Sequence, residues 1–128
     1  MTTVLLVDDE APIADVLSRS LRAQGMDVRI ERTGKDALLA LSEYLPDVML
    51  LDINLPDLTG WEVLRRLSPI DRERVPVIVF SASLLAASRV REFAPAGVLV
   101  KPFPVDALHR LLREVVSAAH SAKEPFNG

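Results

Sequence analysis

The sequence predicts an α/β fold: one parallel sheet with helices on both faces. Three observations lead there. Short runs of Val, Ile and Leu recur without polar alternation, the pattern of strands covered on both sides. Segments with apolar residues at helical spacing separate those runs. Each intervening segment is long enough for the crossover that a parallel pair requires. In chain order, VLLV at 4–7 is the first strand. The helix after it places Ile13, Val16, Leu17 and Leu21 on one face, with Pro12 tolerated in its first turn and Gly25 a natural stop. The weaker run VRIE at 28–31 is the second strand. Thr33 and Asp36 have capping-box spacing and open a second helix carrying Ala37, Leu38, Leu41 and Leu45. VMLL at 48–51 is the third strand, and the next helix begins near Gly60 and Trp61 with Val63, Leu64 and Leu67. VIVF at 77–80 is the fourth strand. A fourth helix around 84–94 is interrupted by Ser and Arg and closed by Pro95. VLV at 98–100 is the last strand, and the final helix opens at Pro104 with Val105, Leu108, Leu112, Val115, Val116 and Ala119 on one stripe. Residues 1–119 are expected to form one domain, and 120–128 a disordered tail.

Bulk properties narrow the function. A chain of 128 residues that is 49% hydrophobic closes a core of one domain. A net charge of −3 with scattered arginines offers no electrostatic reason to bind nucleic acid or an anionic membrane. The absence of cysteine excludes disulfides, thiol nucleophiles and cysteine-based zinc sites. No segment has the apolar core of a signal peptide or the length of a membrane span. The expectation is a soluble, cytoplasmic domain.

In open α/β sheets, ligands bind beyond the carboxyl ends of the strands, where the strand order reverses. Asp8, Asp9 and Glu10 follow the first run, Asp52 the third, Ser81 the fourth and Lys101 the fifth. Taken singly these have ordinary readings: helix-start acids, a turn aspartate, a helix cap and a surface lysine. Together they lie on one rim. Asp8, Asp9 and Asp52 crowd negative charge that Lys101 only partly offsets, so an all-oxygen divalent cation, Mg²⁺ or alternatively Mn²⁺, fits the set. Cation, lysine and hydroxyl around a carboxylate nucleophile make a phosphoryl-transfer constellation.

These residues resemble the receiver domain of two-component response regulators, the fold of the chemotaxis response regulator. The resemblance spans about residues 3–118 and rests on VLLVDDE (4–10), DVMLLDINLPDLTGWEVL (47–64), PVIVFSA (76–82) and VLVKPF (98–103). It implies a flavodoxin-like (βα)5 sheet of order 2-1-3-4-5. It also implies that Asp52 accepts a phosphoryl group from a histidine kinase or histidine phosphotransfer protein. Asp9 would be the direct Mg²⁺ ligand, Asp8 the neighbouring acid acting through water, and Asn54 the donor of a backbone carbonyl. Ser81 matches the switch hydroxyl, Lys101 the phosphate-binding lysine on a cis Lys101–Pro102 bond, and Pro56 and Gly60 the loop after the acceptor. Such a chain is a signalling module rather than a metabolic enzyme.

Three departures stand out. Val98 replaces the usual switch aromatic, the interval from Ser81 to Lys101 is about two residues short, and a stand-alone receiver with no output domain after the last helix is expected. The expected output is therefore contact with a downstream protein, not nucleic acid or membrane. A degenerate receiver serving as a phosphorylation-independent scaffold is the alternative. An aspartate-nucleophile phosphatase of the haloacid dehalogenase type fits poorly, since its nucleophile lies in an Asp-x-Asp run after the first strand, where this chain has Asp8-Asp9-Glu10. Both histidines, His109 and His120, are expected on solvated helix faces, and Trp61 against the sheet edge.

Overall fold

The computed structural model describes residues 1–123. Five strands, β1 (Thr3–Val7), β2 (Asp27–Glu31), β3 (Val48–Asp52), β4 (Val77–Ser81) and β5 (Gly97–Val100), form one sheet. Its order is β2-β1-β3-β4-β5 and every pairing is parallel. The helices are α1 (Ala11–Ala23), α2 (Gly34–Glu43), α3 (Gly60–Arg65), α4 (Pro69–Arg74), α5 (Ala87–Phe93) and α6 (Val105–Lys123).

Side-chain alternation along each strand divides the interior into two layers. Val4, Leu6, Val48, Leu50, Ile78 and Phe80 meet Leu17 and Leu21 of α1 and Leu108 and Leu112 of α6. Leu5, Val7, Met49, Leu51, Val77 and Val79 meet Ala37, Ala40 and Leu41 of α2 and Val63 and Leu64 of α3. This two-sided burial is why the strands read as unbroken apolar runs. Each fully buried Leu or Val contributes roughly 1.5–3 kcal/mol.

Several sequence expectations shift in detail. The buried face of α1 is Ala14, Leu17, Ser18 and Leu21; Val16 points outward and is 57% exposed. In α2 the Thr33 side chain accepts from the Asp36 N–H as the capping spacing predicts, yet the helix stops at Glu43, leaving Leu45 outside it beside Pro46. The segment after α3 contains an extra short helix, α4, capped by Ser68 with Pro69 in its first turn. The Ser-Pro pair was its available signal.

The segment around 84–94 condenses into the seven-residue α5, none of whose residues is buried. It leaves one face of β5 uncovered, so Val98 and Val100 are half-exposed instead of sandwiched. Trp61 is partly buried against the core layer on the α2–α3 side of the sheet. Its ring stacks on Phe93 of α5 at 5.2 Å, while Arg65 bridges to Glu92. His109 is buried, not solvated, because its Nε2 lies 2.7 Å from Ser20 Oγ across the α1–α6 contact. The last helix continues to Lys123, past the expected boundary at 119. Residues 124–128 of the expected tail lie outside the described residues.

Candidate functional site

The chain crosses from one side of β1 to the other between β2 and β3, so the crevice opens above β1 and β3. Register then decides which side chains meet there. Val7 is opposite Leu51, which puts Asp8 beside Asp52. Asp52 is opposite Phe80, and Ser81 is opposite Val100, so Ser81 and Lys101 follow on the same rim. The backbone completes the join: Ile53 N–H donates to Phe80 O and Lys101 N–H donates to Ser81 O.

Lys101 is the hub. Its Nζ donates to Asp8 Oδ2 at 3.2 Å, Glu10 Oε1 at 3.0 Å and Asp52 Oδ2 at 3.1 Å, and it stands 5.0 Å from the centre of the Phe80 ring. The Lys101–Pro102 peptide is cis, as the resemblance implies. Burial works against the Lys101 charge, but hydrogen bonds to Glu10 and Asp52 and the Asp8 charge outweigh it and raise its pKa.

Asp8 and Asp52 are both buried, and each carboxylate accepts a bond from a backbone N–H two residues on, Glu10 to Asp8 Oδ1 and Asn54 to Asp52 Oδ1, both at 2.9 Å. Burial, with Asp52 adding its charge, pushes the Asp8 carboxyl up to about 6 against the opposing pull of the Glu10 N–H and Lys101. Asp9 is exposed at the mouth. One carboxylate oxygen from each of Asp8, Asp9, Glu10 and Asp52 falls within a 4.8 Å group. The helix-start reading of these acids does not describe what is found: α1 has no acid in its first turn, and Glu10, at its N-cap, makes no side-chain capping bond.

Ser81 is likewise not a helix cap. It is the buried last residue of β4, and its Oγ accepts from Asn54 Nδ2 at 3.2 Å and Ser83 N–H at 3.3 Å. Two lone pairs are thus engaged, and the hydroxyl proton remains available to donate into the crevice.

The loop after Asp52 is drawn back onto the strand. Gly60 N–H donates to Ile53 O, and Asn54 bridges to Thr59. A Cβ on Gly60 would stand 2.8 Å from the Asp52 carbonyl oxygen, so only glycine permits this approach. Asp57 anchors the far side, accepting from the backbone N–H groups of Gly34 and Lys35 at the start of α2. Although burial opposes ionisation of Asp57, those backbone bonds hold its carboxyl below the usual range.

Every residue singled out from sequence, Asp8, Asp9, Asp52, Asn54, Ser81 and Lys101, converges on this crevice. Sequence reasoning missed the part of Glu10, although it completes the same acidic run. An all-oxygen donor set with more carboxylates than ammonium groups fits a hard divalent cation.

A family model described as the response regulator receiver domain matches residues 4–113. Among relatives, the transcriptional regulatory protein KdpE of Mycobacterium tuberculosis is 38% identical over 127 residues, covering 97% of this chain and 55% of that protein. PrrA of the same organism is 39% identical, covering 94% of this chain and 54% of its own length. The chain therefore spans about half the length of these relatives. Among solved structures, the chemotaxis response regulator CheY4 of Vibrio cholerae superposes with a TM-score of 0.83 at 27% identity, covering 90% of this chain and 98% of that one. The response regulator TrrA of Thermotoga maritima, solved in complex with Mg²⁺ and BeF, gives 0.80 at 26% identity, covering 90% and 99%.

Proposed function

The chain belongs to the response regulator receiver domain family, and from that premise we propose that Asp52 accepts a phosphoryl group from a histidine kinase or histidine phosphotransfer protein. In this reading an Asp52 carboxylate oxygen attacks phosphorus, the P–N bond of the donor's phosphohistidine breaks, and its electron pair returns to the imidazole nitrogen. The observation that carries the reading is Lys101 Nζ at 3.1 Å from Asp52 Oδ2, a buried carboxylate at the crevice of the sheet.

Asp8, Asp9, Asp52 and the Asn54 backbone carbonyl would hold Mg²⁺, with Mn²⁺ an alternative, and the bound cation supplies charge neutralisation for phosphoryl oxygens. Lys101 shifts its donors from Asp52 to a phosphoryl oxygen. Ser81 donates its free hydroxyl proton to another. Asn54, bonded to Ser81 Oγ and exposed, would bear on the access of water to the acyl phosphate and so on its lifetime.

Phosphorylation adds about two negative charges at this rim. The β4–α5 segment begins at Ser81 itself, and movement there alters the surface of α5, β5 and α6, where Val98 and Val100 are half-exposed. The output is a changed affinity for a downstream protein in a phosphorelay.

The test is intact mass spectrometry after incubation with phosphoramidate, with and without Mg²⁺, on wild type and Asp52→Asn. A gain of one phosphoryl group that requires both Mg²⁺ and Asp52 supports the reading. No gain in folded wild type with excess Mg²⁺, and none with a panel of phosphorylated kinases, overturns it in favour of a phosphorylation-independent scaffold.

A further inference from the structure

An ammonium has three N–H donors. In the structure each has a carboxylate: Asp8 Oδ2, Glu10 Oε1 and Asp52 Oδ2, at 3.2, 3.0 and 3.1 Å. Lys101 has no donor to spare for an incoming phosphoryl oxygen until one of these bonds is released.

The three partners are not equivalent. Asp8 and Asp52 are buried strand-end residues, each pinned by a backbone N–H. Both are also committed elsewhere under the proposed function, Asp52 as acceptor and Asp8 toward the cation. Glu10 has neither assignment. Its side chain is 53% exposed, it makes no cap to α1, and the Lys101 pair is its one side-chain hydrogen bond among the described residues.

We infer that Glu10 is a positioning residue that slows phosphoryl uptake by occupying the third donor of Lys101. The inference rests on the proposed function. Glu10 acts through Lys101 and touches no reacting atom; its removal leaves one N–H of Lys101 free to meet the transferred group. The substitution that tests this is structurally mild. The bonds of residue 10 that shape the site and the helix start are backbone ones, its N–H to Asp8 Oδ1 and its carbonyl oxygen accepting from Ala14 N–H.

The experiment is a double-mutant cycle: the rate of phosphoryl uptake from phosphoramidate at saturating Mg²⁺ for wild type, Glu10→Ala, Lys101→Met and the double variant. Glu10→Ala accelerates uptake by about two- to fivefold, the size of one exposed ion pair expressed as a rate ratio. In the Lys101→Met background that acceleration disappears. Equal acceleration in both backgrounds overturns the inference, since bare charge repulsion of the donor then suffices. So does an unchanged or slower Glu10→Ala rate.

A second readout needs neither cation nor donor. In EDTA, the Lys101 Hζ signals seen by ¹⁵N-detected NMR exchange with water several-fold faster in Glu10→Ala than in wild type; identical exchange overturns the inference. Failure of wild type to take up a phosphoryl group from phosphoramidate and from the panel of phosphorylated kinases overturns the proposed function itself, and this inference with it.

Discussion

Replacing Asp8 by Asn removes a charge that the cation-free fold carries at a cost. Asp8 is buried beside Asp52, and its pKa rises from 3.8 to about 6. A gap of roughly two units is worth about 3 kcal/mol, at 1.36 kcal/mol per unit, between ionising Asp8 in the folded and unfolded chains. The direction follows from proton binding. The folded state holds this proton more tightly than the unfolded chain does. The stability it confers is therefore complete below about pH 4 and is lost as pH rises through about 6.

Asn has no charge to lose, so Asp8→Asn does not follow that decline, although it forfeits the charged bond to Lys101. The net expectation at pH 8 in EDTA is a variant more stable than wild type by about 1–2 kcal/mol, or about 3–8 °C in Tm for a domain of this size. The gap closes toward pH 5. Excess Mg²⁺ reverses the ranking, because binding to the native state stabilises wild type by mass action and the variant has lost a ligand. Urea unfolding at pH 5 and 8, with EDTA and with Mg²⁺, measures all four cases. An Asp8→Asn protein no more stable than wild type at pH 8 in EDTA, or a gap independent of pH, would refute the reasoning.

Two further predictions concern how the site is framed. Gly60→Ala places a methyl 2.8 Å from the Asp52 carbonyl oxygen and 3.0 Å from Ile53 Cα, backbone atoms that cannot swing aside. A loss of about 2–3 kcal/mol is expected, with weakened Mg²⁺ binding; an unchanged unfolding midpoint would show that the loop accommodates the methyl freely. The Trp61–Phe93 stack joins α3 to α5, and a Trp61→Leu/Phe93→Leu cycle should yield a coupling of about 1 kcal/mol and shift Trp61 emission in Phe93→Leu. Additive losses would mean that α5 is held by its ion pairs instead.

How much was legible in advance depends on the range of the physics. Strand and helix type came from local patterning: VLLV and VIVF are apolar throughout because both sheet faces are covered, and Thr33 announces its helix through a bond only three residues long. The rim of Asp8, Asp9, Asp52, Ser81 and Lys101 was legible for the same reason, since strand ends follow from strand cores. The order 2-1-3-4-5 came from the resemblance, not from any local pattern. Errors gathered where a residue's environment is set by a distant neighbour. Val16 shares the helical spacing of its buried neighbours, and only the docking angle of α1 turns it to solvent. His109 is polar by type and buried by Ser20, 89 residues away. Val98 and Val100 belong to an apolar run, yet α5 is too short to cover them. Glu10 lies in plain view beside Asp9, but nothing local tells it to turn toward a lysine 91 residues further on. Composition and spacing determined the elements and the chemistry available at the strand ends. Only the tertiary structure decided which side chains share a proton donor, because that depends on ångström distances between segments whose positions no single stretch of sequence encodes.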